Sequence, residues 1–167
     1  MTLSIYDASV PLFTRGLGGL SHVLDKAAAF AEARNIDPAV LLALRLYPDM
    51  YPLTRQVQSA TDHAKGAGAR LAGVEVPKFP DVETTFPELK ARLDKTIAFI
   101  GGLDRQAFEG AEDRDVVLGT GASQRVLKGR VYLFTSSLPN FYFHVTTAYA
   151  ILRQVGLEIG KRDFLGS

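Results

Sequence analysis

Two of the three histidines in this chain stand beside the apolar seam of a helical segment. His63 directly precedes the seam residue Ala64, and His144 directly precedes the seam residue Val145 in a later segment. A side chain beside a seam can reach into the interior of a helix bundle, where bundles commonly hold metals and other ligands. His22 falls on the outward face of its own segment, so we expect it to be solvated. His63 and His144 are therefore the candidate functional residues.

Two imidazoles can bind zinc, nickel or iron, but they do not make a complete metal site. The nearest candidates for a third position are Asn140, one turn before His144, and Gln56, one heptad before His63. Neither amide is a strong ligand for a first-row metal. Two interpretations therefore stay open: a divalent ion held by His63 and His144 with Asn140 as third position, or two buried histidines with amide partners. The missing third ligand favours the second interpretation, with no cofactor.

Other catalytic patterns are incomplete. The chain has no cysteine, which excludes disulfides, thiolate catalysis and thiolate zinc sites. The glycines of 16–19 lie inside a predicted helix, and Gly119–Gly121 is not followed by the Gly-Lys-Ser/Thr of a phosphate-binding loop. Ser21, His22 and Asp25 share one helix and cannot form a relay. The sequence therefore shows no complete catalytic set.

The composition is that of an ordinary globular domain. Of the 167 residues, 47% are apolar and 22% are charged, and 19 basic against 18 acidic residues leave a net charge of +1. This balance predicts neither nucleic acid nor an anionic membrane as a partner. There is no run of 18 apolar residues and no recognisable signal peptide. We expect one cytoplasmic domain over residues 1–167.

Four long helical segments must position the candidate residues, because apolar residues recur in them every three or four positions. Pro11 predicts a kink or a helix start in the first segment. Thr85 and Glu88 form a capping box at the start of the third. The predicted elements are long helices over about 4–34, 53–72, 86–100 and 129–155, a short helix over about 38–44, and a hairpin pairing 115–118 with 125–127. The predicted fold class is therefore an all-α four-helix bundle with a small β-hairpin between the third and fourth long helices.

Two packing features accompany these predictions. The apolar seam of the fourth long helix passes through Pro139 without losing phase, which predicts one kinked helix. The first and second long helices are both rich in small residues, which suggests that their backbones cross closely.

Four blocks of the chain resemble a bacterial family of unknown function, DUF1993. They are Leu3–Pro11, Pro48–Gly66, Leu138–Arg153 and Gly160–Gly166. Together the blocks extend over essentially the whole chain. That family is similar to the DinB/YfiT-like superfamily, so the resemblance implies a DinB-like four-helix bundle and a homodimer.

Many members of the superfamily hold a divalent metal with three histidines, one from the second long helix and two, four residues apart, from the fourth. In that pattern His63 matches the first ligand, and the pair on the fourth helix becomes Asn140 and His144. The chain thus keeps two of the three ligands and replaces the third by an amide.

Two functions follow as hypotheses. The first is a protein that binds a small ligand or a partner in an interior cleft around His63 and His144. The alternative is a metal-dependent hydrolase or transferase that acts on a small molecule, with the metal on the same two histidines. We prefer the first, because no complete catalytic set is visible.

Overall fold

The computed structural model describes residues 4–166. A turn stabilised by Ser4 and Asp7 precedes the first helix, which begins at Val10 because Pro11 fits the first turn of a helix. The elements in chain order are α1 (Val10–Ala33), α2 (Pro38–Leu42), α3 (Leu53–Ala72), α4 (Phe86–Gly101), a 3-10 turn (Arg105–Phe108), β1 (Asp115–Leu118), a second 3-10 turn (Gly121–Ser123), β2 (Arg125–Lys128), α5 (Gly129–Tyr132), α6 (Leu138–Gln154) and α7 (Lys161–Leu165). A π-helical turn over Leu133–Ser137 joins α5 to α6 without a break.

The predicted all-α bundle with one hairpin is confirmed. α1, α3, α4 and the continuous α5–α6 helix are the four long helices, and the hairpin lies between the third and the fourth. Local capping sets several helix starts: the Asp37 carboxylate accepts from the Ala39 amide at 2.9 Å, and Thr85 and Glu88 form the predicted capping box. β1 pairs antiparallel with β2, with Asp115 opposite Lys128.

The core lies between the long helices. α3 packs mainly on α6 and α4, whereas α1 packs mainly on α4, α7 and α6. Within residues 4–166, no helix combines the length and the apolar character needed to cross a membrane. The seams predicted for α1 and α3 are confirmed as buried: Val10, Phe13, Leu17, Leu20, Leu24, Ala27 and Ala31 on α1, and Leu53, Val57, Ala60, Ala64, Ala67 and Leu71 on α3.

Gly16 and Gly19 of α1 face α6 and α7, not α3. The suggestion that the backbones of α1 and α3 cross closely at their small residues is therefore wrong. A Cβ on Gly16 would lie 2.7 Å from the Phe141 ring of α6, and one on Gly19 would lie 2.6 Å from the Phe164 carbonyl oxygen of α7. Phe141 is fully buried and packs edge-on against Phe13 at 4.9 Å. The missing side chain at Gly16 therefore creates the space for a core aromatic ring.

The seam of the fourth long helix does change phase before Pro139, so the prediction of an unbroken seam is wrong there. Val131 and Phe134 belong to the predicted seam but are 40% and 48% exposed, whereas Tyr132 and Leu133 are buried. A π-helical turn contains one more residue than an α-helical turn and rotates the residues on either side of it. From Phe141 to Leu152 the predicted seam is buried, and this part of the helix carries His144.

Candidate functional site

α3 and α6 bring His63 and His144 together, as their matching positions beside the seams predict. The two imidazole rings are stacked, with centroids 5.4 Å apart and planes 16° from parallel. His144 is buried at 9% exposure, whereas His63 is half-buried. The pair therefore lies at the edge of the α3–α6 interface and reaches solvent on the His63 side.

Gln56 orients the His144 ring. The side-chain nitrogen of Gln56 donates to the Tyr51 carbonyl oxygen at 3.1 Å, and its Oε1 lies 2.7 Å from Nδ1 of His144. Because the amide oxygen can only accept, Nδ1 of His144 must carry the proton and donate it. Neutral His144 is therefore the Nδ1–H tautomer, which leaves a lone pair on Nε2.

Two exposed aromatic side chains border the pair. The Tyr51 ring lies nearly parallel to the His144 ring, with centroids 6.5 Å apart, and the Phe143 ring stands edge-on to it at 5.3 Å. Tyr51 is 52% exposed and Phe143 is 54% exposed. Together with Gln56, these residues and the two histidines form what we call the imidazole site: a polar pair beside an accessible aromatic surface.

Both imidazoles are held neutral. The pKa of His144 is lowered to about 4, chiefly by burial and in addition by the positive charges of protonated His63 and of Arg55. Burial also lowers the pKa of His63, where Asp62 opposes the shift and Arg70 adds to it. Near pH 7 the site therefore presents imidazole nitrogens with lone pairs, which can accept a proton or a hydrogen bond or bind a metal ion.

Asn140, the candidate third position, and the carboxylate that neighbours His63 in the chain are both engaged elsewhere. Asn140 is exposed, and its amide nitrogen donates to the Ser136 carbonyl oxygen of the π-helical turn at 2.6 Å. Asp62, the carboxylate nearest to His63 in the chain, forms ion pairs of 2.8 Å with both Lys65 and Arg92. Among residues 4–166 there is no group of three or more histidine, aspartate or glutamate residues that could hold a metal ion.

The remaining histidine is outside the site. His22 is exposed, as its outward position on α1 predicts, and its ring lies 3.1 Å from the Asp163 carboxylate near the end of the chain. The interpretation of buried histidines with amide partners fits His144, whose amide partner is Gln56, whereas no sequence pattern predicted that Tyr51 joins the site. Gln56 and His63 are seven residues apart on α3, so they lie on the same face of the helix, and this spacing could have predicted that Gln56 lies near the histidine pair. No spacing pattern predicts a role for Tyr51, because this residue lies before the start of α3 and its position is set by the non-helical segment between α2 and α3.

Comparisons with known proteins agree with this fold. The family model described as "Domain of unknown function (DUF1993)" matches residues 5–165, so the chain belongs to that family. A solved structure described as a DinB family member protein from Shewanella denitrificans is 40% identical in sequence. The match covers 98% of this chain and 92% of that chain, with a TM-score of 0.92, which places this fold in the DinB-like superfamily. No curated protein matches the chain.

Proposed function

We propose that this member of the DUF1993 family binds a small polar molecule at the imidazole site. The observation that carries the proposal is the neutral, oriented His144 ring, whose Nε2 lone pair is left available by the hydrogen bond from Nδ1 to Gln56. A molecule that presents an acidic O–H or N–H group would donate to such a nitrogen. The exposed faces of Tyr51 and Phe143 add apolar area beside it.

A metal-dependent hydrolase or transferase is the second candidate, and the same tautomer supports it. Histidines that bind a metal commonly donate the other ring N–H to an oxygen acceptor, as His144 does toward Gln56. His63 and His144 would hold a Zn, Ni or Fe ion, and Asn140 would have to turn away from Ser136 to complete the set. Such an ion would activate a bound water or thiol. The engagement of Asn140 and Asp62 elsewhere leads us to prefer the binding protein.

Nitrogen-detected NMR of the histidine rings tests both candidates. The protein is purified without an affinity tag and titrated with ZnCl₂, and in a separate experiment with a set of small carboxylic acids, amides and phenols at millimolar concentration. His144→Gln removes the Nε2 lone pair but keeps a donor for Gln56. His22→Gln is the matched control, because it removes an exposed imidazole outside the site.

Saturable shifts of the His144 and His63 ring signals by a small molecule support the binding protein if the His63 shift is lost in His144→Gln and both shifts are kept in His22→Gln. One equivalent of tightly bound zinc with the same dependence on variants supports the metal enzyme instead. If neither titration moves the Nε2 signal, the proposal is wrong.

We also propose that the protein forms a homodimer and that it is cytoplasmic. Exposed apolar side chains such as Tyr47, Tyr51 and Phe143 offer area for contact with a second copy of the chain. The near-neutral charge does not oppose self-association.

A further inference from the structure

A cavity of about 470 Å³ lies between α3 and the loop that follows it. Its walls are formed by Asp62, Lys65 and Arg70 of α3 and by the loop segment 76–80. This size is within the range of pockets that hold small organic molecules. The cavity is open to solvent, and the imidazole-site residues Tyr51, Gln56 and His144 do not line it.

Positive charge dominates the walls of this cavity. Lys65, Arg70 and Lys78 face a single carboxylate, Asp62, and that carboxylate also pairs with the buried Arg92. The ion pairs formed among residues 4–166 include neither Arg70 nor Lys78. Two cations are therefore left without a carboxylate partner in one concave surface.

Gly66 makes room for the Arg70 guanidinium. A Cβ at position 66 would lie 2.5 Å from Nη1 of Arg70, so the arginine folds back over its own helix where the glycine has no side chain. The same Nη1 donates to the Tyr132 hydroxyl oxygen at 3.3 Å. A neutral phenol fixes the direction of the guanidinium but leaves its charge uncompensated. Most of its N–H donors stay available to an anion.

The opposite wall is held in place before any ligand arrives. Arg92 is 3% exposed and donates to the Pro80 carbonyl oxygen at 3.0 Å, and it pairs with Asp81 at 2.9 Å and with Glu83 at 3.1 Å. These contacts attach the loop to α4. The ammonium groups of Lys65 and Lys95 lie 4.3 and 4.1 Å from the centre of the Phe79 ring. The cationic cavity thus has two fixed walls, and a ligand need not order the loop.

We propose that this cavity is a second binding site, for a small phosphate monoester. Arg70 would bind the phosphate through paired N–H donors, and Lys78 and Lys65 would add point charges. The apolar part of the ester would lie against Val76 and Pro77 on the loop. The site uses other side chains than the imidazole site and requires no proton transfer, and its Asp62 and Arg70 act on the imidazole site only through their charges, which shift the pKa of His63.

Amide-detected NMR titration with inorganic phosphate and with phenyl phosphate, in a low-salt HEPES buffer, tests the assignment. Arg70→Gln removes the charge that the phosphate would contact. Gly66→Ala keeps every charge but places a methyl group where the guanidinium lies, and alanine favours the helix. Arg125→Gln on the exposed strand β2 removes one positive charge outside the cavity and is the matched control. His144→Gln separates this site from the imidazole site.

We expect saturable shifts of amides in 62–80, with phenyl phosphate binding more tightly than inorganic phosphate. Arg70→Gln should weaken binding about tenfold or more, since a charge-assisted hydrogen bond is lost. Gly66→Ala should weaken binding as well, whereas Arg125→Gln and His144→Gln should leave it unchanged. The proposal is overturned if neither probe saturates, if Arg125→Gln weakens binding as much as Arg70→Gln, or if Arg70→Gln has no effect.

Discussion

Acidification should destabilise this protein through His144. The folded protein holds the pKa of this ring at about 4, whereas an unfolded chain has a histidine pKa near 6.5. Between these two values the unfolded state binds a proton that the folded state does not, so stability is present above pH 6.5 and is lost as pH falls toward 4. Because each pKa unit corresponds to about 1.4 kcal/mol, the full loss from this residue is about 3 kcal/mol.

Urea denaturation at a series of pH values from 7 to 4 measures this loss. The variant His144→Gln serves as the reference, since glutamine can donate to the Gln56 oxygen but does not titrate. Titrating groups outside the imidazole site affect both proteins alike and cancel in the difference between the two free energies of unfolding, whereas the coupling of His144 to His63 is part of that difference. We expect wild-type stability to fall relative to the variant by about 3 kcal/mol over this range, with a slope of at most about 1.4 kcal/mol per pH unit.

A difference that does not change with pH would refute this reasoning, because His144 would then titrate alike in the folded and unfolded states. An NMR titration of the folded protein provides the direct check. A His144 ring that became protonated near pH 6.5 would show that its burial and its two positive neighbours do not set its charge.

Further predictions concern the frame around the site and its assembly. Gly16→Ala should lower the free energy of unfolding by about 1–3 kcal/mol, because the added methyl group meets the fully buried Phe141 ring. Gly18→Ala should raise it by up to about 1 kcal/mol, because a Cβ there has nothing within 4 Å and alanine favours the helix. Thermal denaturation compares the two variants. Leu24→Ala in the fully buried α1 seam should cost about 2–5 kcal/mol in urea denaturation. Arg92→Met should cost about 3 kcal/mol by the same assay and should speed proteolysis of the loop over 73–84. Light scattering at micromolar concentration should give twice the 18.2 kDa chain mass, and a species of 18.2 kDa alone would contradict the homodimer.

Much of the frame was predictable from local sequence patterns. The seams of α1 and α3 and the capping box of Thr85 and Glu88 depend on residues a few positions apart, and the hairpin pairs residues no more than 13 positions apart. Helical periodicity and capping act over this same range, so the sequence alone carries them. The same periodicity placed His63 and His144 beside their seams, and two helices packed along those seams bring the rings together.

The sequence pattern failed where a helix changes its own geometry. The π-helical turn over Leu133–Ser137 rotates the start of the fourth long helix and exposes Val131 and Phe134. A regular period cannot anticipate one additional residue in a turn. The same turn supplies the Ser136 carbonyl oxygen that holds Asn140, which draws the amide away from the role its spacing suggested.

The tertiary structure alone decided the chemistry of the site. The sequence determined that two histidines, an amide and a bundle are present. The contacts of Gln56 with His144 and of Arg92 with Asp81 join residues that different helices and loops bring together. Contacts of this kind depend on how the helices cross and on where a glycine leaves space. Gly66, for example, has no side chain to occupy the space that the Arg70 guanidinium fills. Burial and neighbouring charge then lower the pKa of His144, and both are properties of the packed molecule that no local spacing encodes.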